Sequence, residues 1–148
     1  MSHFVNVKTQ MKNLEALVSA LARNGFSTSK VEVHDTPQNL YGYQGDVRAQ
    51  KANVIIRRRY IGSSSNDIGF ENIDGTYVAH ISEFDSGTGT YASNHSSARC
   101  NQEWQNKLGT YYGIEAAKLE CKKNHMRCLE EVDKENRPTL RIFVEGDR

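Results

Sequence analysis

Proline is nearly absent from this chain, with two residues in 148, and no Pro/Gly/Ser-rich run resembles a linker. That scarcity argues against an internal boundary, so one domain spanning residues 1–148 is expected. Long apolar runs are missing too. None approaches the roughly 18 residues of a membrane span, and no basic-then-apolar stretch opens the chain as a signal peptide would. Cysteine is sparse and odd in number, three in all, which excludes a self-contained disulfide framework and points to a reducing compartment. Nor is there an excess of either charge. Nineteen Lys and Arg stand against eighteen Asp and Glu, for a net +1, unlike a dedicated duplex-DNA binder. No internal repeat is visible.

What is present is ordinary globular composition, 37% hydrophobic and 25% charged, with charge unevenly placed. Residues 1–60 hold nine basic and four acidic groups, whereas residues 61–97 hold five acidic groups and no Lys or Arg. The two segments are either neighbours in the fold or the poles of a dipolar surface.

Leu14, Leu17, Val18 and Leu21 fall at i, i+3, i+4 and i+7, predicting a core-facing helix over Lys12 to Asn24. Asn24-Gly25 closes it, and Phe26 follows where a hydrophobic clasp belongs. Lys30 to His34 and Asn53 to Ile61 read as strands, with a short strand running into a glycine turn over Leu40 to Asp46. Asp67 to Ile73 and Thr76 to Ser82 flank Asp74-Gly75, the strongest two-residue hairpin signal. Asp85 to Ser97, rich in Gly, Ser, Thr and Asn, reads as a long loop. A second helix is expected over Arg99 to Lys123, carrying Trp104, Leu108, Tyr111, Tyr112, Ala116 and Leu119 near one face. Gly109 and Gly113 weaken that helix, and a kink or a close helix–sheet approach would account for them. Met126 to Val132 and Leu140 to Val144 complete a second hairpin. The sum is an α+β fold: an antiparallel sheet of five or six strands with two helices packed on one face.

Met1-Ser2-His3-Phe4, then Lys8-Thr9 before a Leu-rich helix, open a recognisable order of motifs. Tyr41-Gly42-Tyr43-Gln44-Gly45 with Arg48 follows, then Asp67-Ile68-Gly69-Phe70 and a Trp- and Tyr-bearing helix before a hairpin. This order resembles the plastid and cyanobacterial "hypothetical chloroplast reading frame thirty-five" family, a domain of unknown function found also in other bacteria. The chain departs from that pattern at Arg57 to Asn66 and at Asp85 to Gln102, and it lacks the family's basic-aromatic ending. The resemblance implies no transferable activity. It implies a cytoplasmic or plastid-stromal protein of bacterial, plastid or phage-like origin, and a link to ATPases of the AAA type as adaptor or client.

Four groups of residues are candidates for chemistry. His34-Asp35-Thr36 and His80-Ile81-Ser82 are His-x-Thr/Ser tripeptides, the device with which two-histidine phosphodiesterases hold a phosphate. One His would act as base and the other as acid, provided both imidazoles converge on one cleft. The plainer reading is a pair of ordinary strand histidines. Cys121 and His125, at i and i+4, would chelate zinc with Cys128 if the helix persists that far. Against that, no Cys-x-x-Cys is present and free Cys is commonly a small buried hydrophobe. Arg57 and Arg59, expected on one side of a strand, would join Tyr41, Tyr43 and Arg48 in a basic, aromatic surface. The alternative is an edge strand defended by charge. Tyr41 to Asp46 lacks the Gly-Lys-Ser/Thr ending of a phosphate loop, so its glycines are expected to serve a turn.

These residues point first to a non-enzymatic interaction or adaptor domain that binds a protein partner through Tyr41, Tyr43, Arg48, Arg57 and Arg59. No cofactor is expected. A phosphodiesterase using His34 and His80, and a nucleotide- or single-strand-binding protein using the Arg57 to Arg59 strand, are the alternatives.

Overall fold

A computed structural model describes residues 10–143. Met1 to Phe4, Lys8-Thr9 and Val144, which the sequence reading invoked, lie outside them. The first helix, α1 (Leu14–Arg23), starts where the Asn13 side chain accepts the Ala16 N–H at 2.9 Å. It ends as expected: Gly25 has φ 110°, and the Phe26 N–H turns back to the Leu21 carbonyl at 2.9 Å. The buried stripe is Ala16, Leu17, Ala20 and Leu21, rotated from the leucine-only face, and Leu14 sits at its exposed margin. Two alanines in that stripe let the helix lie close to its neighbours.

Four strands follow: β1 (Glu32–Tyr41), β2 (Val47–Ile56), β3 (Ile68–Ile73) and β4 (Thr76–His80). They form a purely antiparallel meander in the order β1-β2-β3-β4. Pro37 lies within β1, on the sheet's edge, in the stretch where the β1–β2 register slips between Val33 and Gln38. A residue with no N–H is tolerated there. The Asp74-Gly75 hairpin is present as predicted, both residues having positive φ (52° and 89°), as a type I′ turn demands.

After β4 come a four-residue helix, α2 (Glu83–Ser86), and a 3₁₀ segment over Gly89–Ser97, where the sequence suggested only a loop. Helix α3 (Gln102–Lys123) is continuous through Gly109 and Gly113. A methyl group at either position would meet no neighbouring atom within 4 Å, so a close helix–sheet approach is not their reason. The last two strands, β5 (Arg127–Val132) and β6 (Pro138–Phe143), pair only with each other. The single sheet of five or six strands expected from the sequence is therefore corrected: six strands divide into a four-stranded sheet and a separate hairpin. No helix among the described residues is long and apolar enough to cross a membrane.

The main core lies between one sheet face and both long helices. Val54, Ile56, Ile68 and Phe70 meet Leu17, Leu21 and Phe26 from the α1 side and Trp104, Leu108 and Tyr112 from α3. Phe26 and Trp104 pack edge to face at 6.0 Å. Both ends of α1 are tied to α3. The Lys12 and Asn13 N–H groups donate to Tyr112 Oη at 2.9 Å, while Trp104 and Asn24 exchange two bonds of 2.9 Å. Leu40, Ala52 and Ile55 form a smaller cluster on the other sheet face.

The β5–β6 hairpin is joined to the helices by charge. Glu130 receives Arg23 of α1 and Lys118 of α3, and Arg23 also bonds Glu115 at 2.8 Å. Bonding by Arg23 first, then Lys118, pulls the Glu130 carboxyl from 4.5 down to about 2. A depressed carboxyl contributes stability that is present above its unfolded value and lost as pH falls through the folded one. We therefore expect wild type to exceed Glu130→Gln in stability at neutral pH, and the gap to close between about pH 4.5 and pH 2. Urea unfolding of both proteins across that window checks it. A gap independent of pH would mean that this carboxylate does not couple to folding.

Candidate functional site

The face of the sheet turned away from the main core carries an open groove of about 750 Å³. Register places it: Glu32, Ile55, Gly69 and His80 are successive partners across the four strands and point to one side. Leu40, Gln50 and His80 form its floor, Tyr43 and Arg48 one wall, and Glu83, Phe84 and Tyr91 the other. The first wall stands on the β1–β2 turn. There the Gly42 N–H bonds the Asp46 carbonyl at 2.8 Å, and Gly45 adopts φ 82°. The Asp46 carboxylate lies 2.5 Å from where a Gly42 side chain would begin, so a larger residue there would make that exposed carboxylate swing aside. The second wall is α2, capped by Ser82, whose hydroxyl accepts the Asp85 N–H at 3.1 Å and donates to Asp85 Oδ2 at 2.8 Å.

A network of polar groups centred on the buried Asp67 lies against the groove. Asp67, with a side chain only 1% exposed, takes Arg57 Nη1 at 2.8 Å on Oδ2. It also accepts the Tyr41 N–H at 2.8 Å and the Arg58 N–H at 2.7 Å. Arg57 forks onto Glu32 through two further bonds of 2.9 Å. These bonds hold the Glu32 carboxyl below its ordinary range, Arg57 being the larger cause and His34 a lesser one, and they raise the Arg57 guanidinium. Asp85 is buried with neutral donors around it: Ser65 Oγ at 2.5 Å, Ser82 Oγ, and the Asn66 N–H at 3.3 Å.

Of the basic, aromatic surface read from sequence, the groove gathers Tyr43 and Arg48. The other three residues are elsewhere. Strand β2 ends at Ile56, and Arg58–Tyr60 is a 3₁₀ turn, so the strand alternation assumed for Arg57 and Arg59 does not exist. Asp67 stops the strand, capturing the Arg57 guanidinium and the Arg58 N–H together. Arg57 is thus an internal cation lying 5.5 Å over Tyr41, while Arg59 is exposed and stacks at 4.7 Å on Tyr60.

The two histidines share a sheet face but sit on its outermost strands, separated by β2 and β3 and offset by two residues, about 16 Å on a flat sheet. His34 bonds Glu32 at 2.9 Å and His80 bonds Glu71 at 2.8 Å. His80 and Ser82 line the groove, whereas His34 and the exposed Thr36 do not. Ser82 is spent on the α2 cap. In the proposed zinc cluster, α3 ends at Lys123 and His125 adopts φ 57°, so Cys121 and His125 are not one turn apart on a helix. Among the described residues no three His, Cys, Asp or Glu side chains are grouped to hold a metal. Burial pushes the Cys100 thiol up to about 12.

Sequence reasoning missed Phe84 and Tyr91, whose rings meet edge to face at 5.3 Å on the second wall. Both are exposed, in a segment otherwise made of small polar residues. Aromatics stranded in such a segment were the available signal. No known family's profile, no curated protein and no solved structure matches the chain.

Proposed function

We propose that the chain is a non-enzymatic interaction domain that seats a protein partner in the groove between Tyr43 and the Phe84–Tyr91 pair. The observation that carries this reading is the placement of three exposed aromatic side chains around one concavity of about 750 Å³. Exposed aromatics gathered at a concave surface are what binding hot spots are made of. We also propose kinship with the plastid reading-frame family. In support, three positions of the resemblance shape this groove. Gly42 sits in the turn beside Asp46, the Asp67 carboxylate holds the Tyr41 N–H next to the groove, and Gly69 lets Leu40 and Ala52 pack close beneath it. An ATPase of the AAA type is the partner that kinship implies, and cytoplasm or plastid stroma the compartment.

The test is retention of a partner by immobilised protein in extracts of its native host. Phe84→Ala with Tyr91→Ala should cut specific retention about tenfold or more, at roughly 1–2 kcal/mol for each anchor lost. Leu129→Ala, an exposed apolar residue on the β5–β6 hairpin, should change nothing. Equal retention by a folded Phe84/Tyr91 variant would sink the groove as the binding surface.

A further inference from the structure

The charges around the groove choose between occupants. Among the described residues Arg48 is the only Lys or Arg that lines it, and Asp46 lies 3.5 Å from its guanidinium. Asp67 is answered by Arg57, and Glu71 stands beside His80. After those pairings Glu83 remains, and among the described residues no cation lies within 4.0 Å of it. Asp85, two residues on in α2, is a buried carboxylate bonded to neutral donors. The second wall and most of the groove's lining residues come from residues 61–97, which contain five acidic residues and no Lys or Arg. A phosphate-rich ligand would meet repulsion along that wall, and a cationic one attraction.

Glu83 is also positioned rather than loose. It precedes Phe84 in α2, and the Thr90 N–H reaches its Oε1 at 3.4 Å. Gly89 leaves it room, since a methyl there would come within 2.4 Å of the Glu83 carboxylate. Glu83 thus precedes Phe84 in the chain, and the backbone N–H it accepts belongs to the residue before Tyr91. An anion close in the chain to two exposed aromatic rings is an arrangement that recognises a cationic side chain, through charge and cation–π attraction together.

We infer that the groove's occupant is a basic peptide segment of a partner protein, with an Arg or Lys side chain seated between Glu83 and the Phe84–Tyr91 pair. This rests on the groove being the binding surface, and it adds the partner's chemistry.

Fluorescence anisotropy with three labelled probes tests it on the full chain: an Arg-Gly decapeptide, a Glu-Gly decapeptide and a thymidine oligonucleotide. Only the Arg-Gly probe should saturate, with affinity that falls as salt rises. Glu83→Gln and Phe84→Ala should each weaken it about two- to fivefold. Asp74→Asn removes one charge from the same acidic segment, at the β3–β4 turn, and should leave affinity unchanged. Equal weakening by Asp74→Asn and Glu83→Gln would reduce the effect to diffuse attraction and overturn the inference. So would tighter binding of the acidic peptide or the oligonucleotide, or no saturable binding of the Arg-Gly probe. If any of these occurs while Phe84→Ala with Tyr91→Ala still abolishes partner retention, the groove stands and only its basic occupant is lost.

Discussion

Arg57→Ala should lower the unfolding free energy by about 3 kcal/mol, near the low end of what breaking a buried ion pair costs. The reason is what stays behind. Asp67 would keep the Tyr41 and Arg58 N–H donors but lose the one cation paired with it among the described residues, at a site where its side chain is 1% exposed. The lower bound applies because Arg57 itself is 18% exposed and Glu32 35%, so water replaces part of the lost fork. Lysine should not rescue it, since one ammonium cannot serve both Glu32 oxygens and Asp67 at once. Adding Asp67→Asn to Arg57→Ala should recover part of the loss by removing the orphaned charge. Urea unfolding of the four proteins measures this. A loss below about 1 kcal/mol for Arg57→Ala would show that the buried pair is not what fixes the end of β2.

The second large effect is expected at Gly69, in the middle of the sheet. A side chain there would begin 2.4 Å from Ala52 Cβ and 3.0 Å from Leu40 Cδ2, both fully or nearly fully buried. Ala52 cannot rotate away, because it ends at that carbon. Gly69→Ala should therefore destabilise by about 2–3 kcal/mol, as overpacked cores do. Ala52→Gly in the same chain removes the obstructing atom. The pair should couple favourably by more than about 1 kcal/mol in a double-mutant cycle followed by urea unfolding. Strict additivity would mean the strands separate by other means.

Much of the local structure was legible, and the reason is that its causes are local. The Asn24-Gly25 stop of α1 and the Asp74-Gly75 turn each depend on backbone angles that two adjacent residues dictate. The end of β2 was not legible, because it depends on Asp67, ten residues past Arg57. A run of Val, Ile and Arg holds no sign of that capture. Division of the strands into two sheets was hidden for a related reason. Thr76 to His80 and Leu140 to Phe143 alternate alike, and only contacts distant in sequence decide that one pair joins the meander. For the site, Tyr43 and Arg48 were found because a glycine-aromatic turn is conspicuous. Half the groove was missed because the composition of residues 85–97 reads as loop, and α2 is too short to show a period.

The hairpin that stands apart from the main sheet gives the molecule two tempos. Its ladder runs only from β5 to β6, and it leans on α3 and, through Glu130, on Arg23. Opening it leaves the meander and the core between α1 and α3 intact, so its amide hydrogens should trade with solvent through a cheaper, partial excursion. The hydrogens of β2 and β3 should be released only when the whole molecule comes apart. A partner gripping the groove would slow the second clock and leave the first nearly untouched, which makes the hairpin an internal timekeeper for occupancy of the other face.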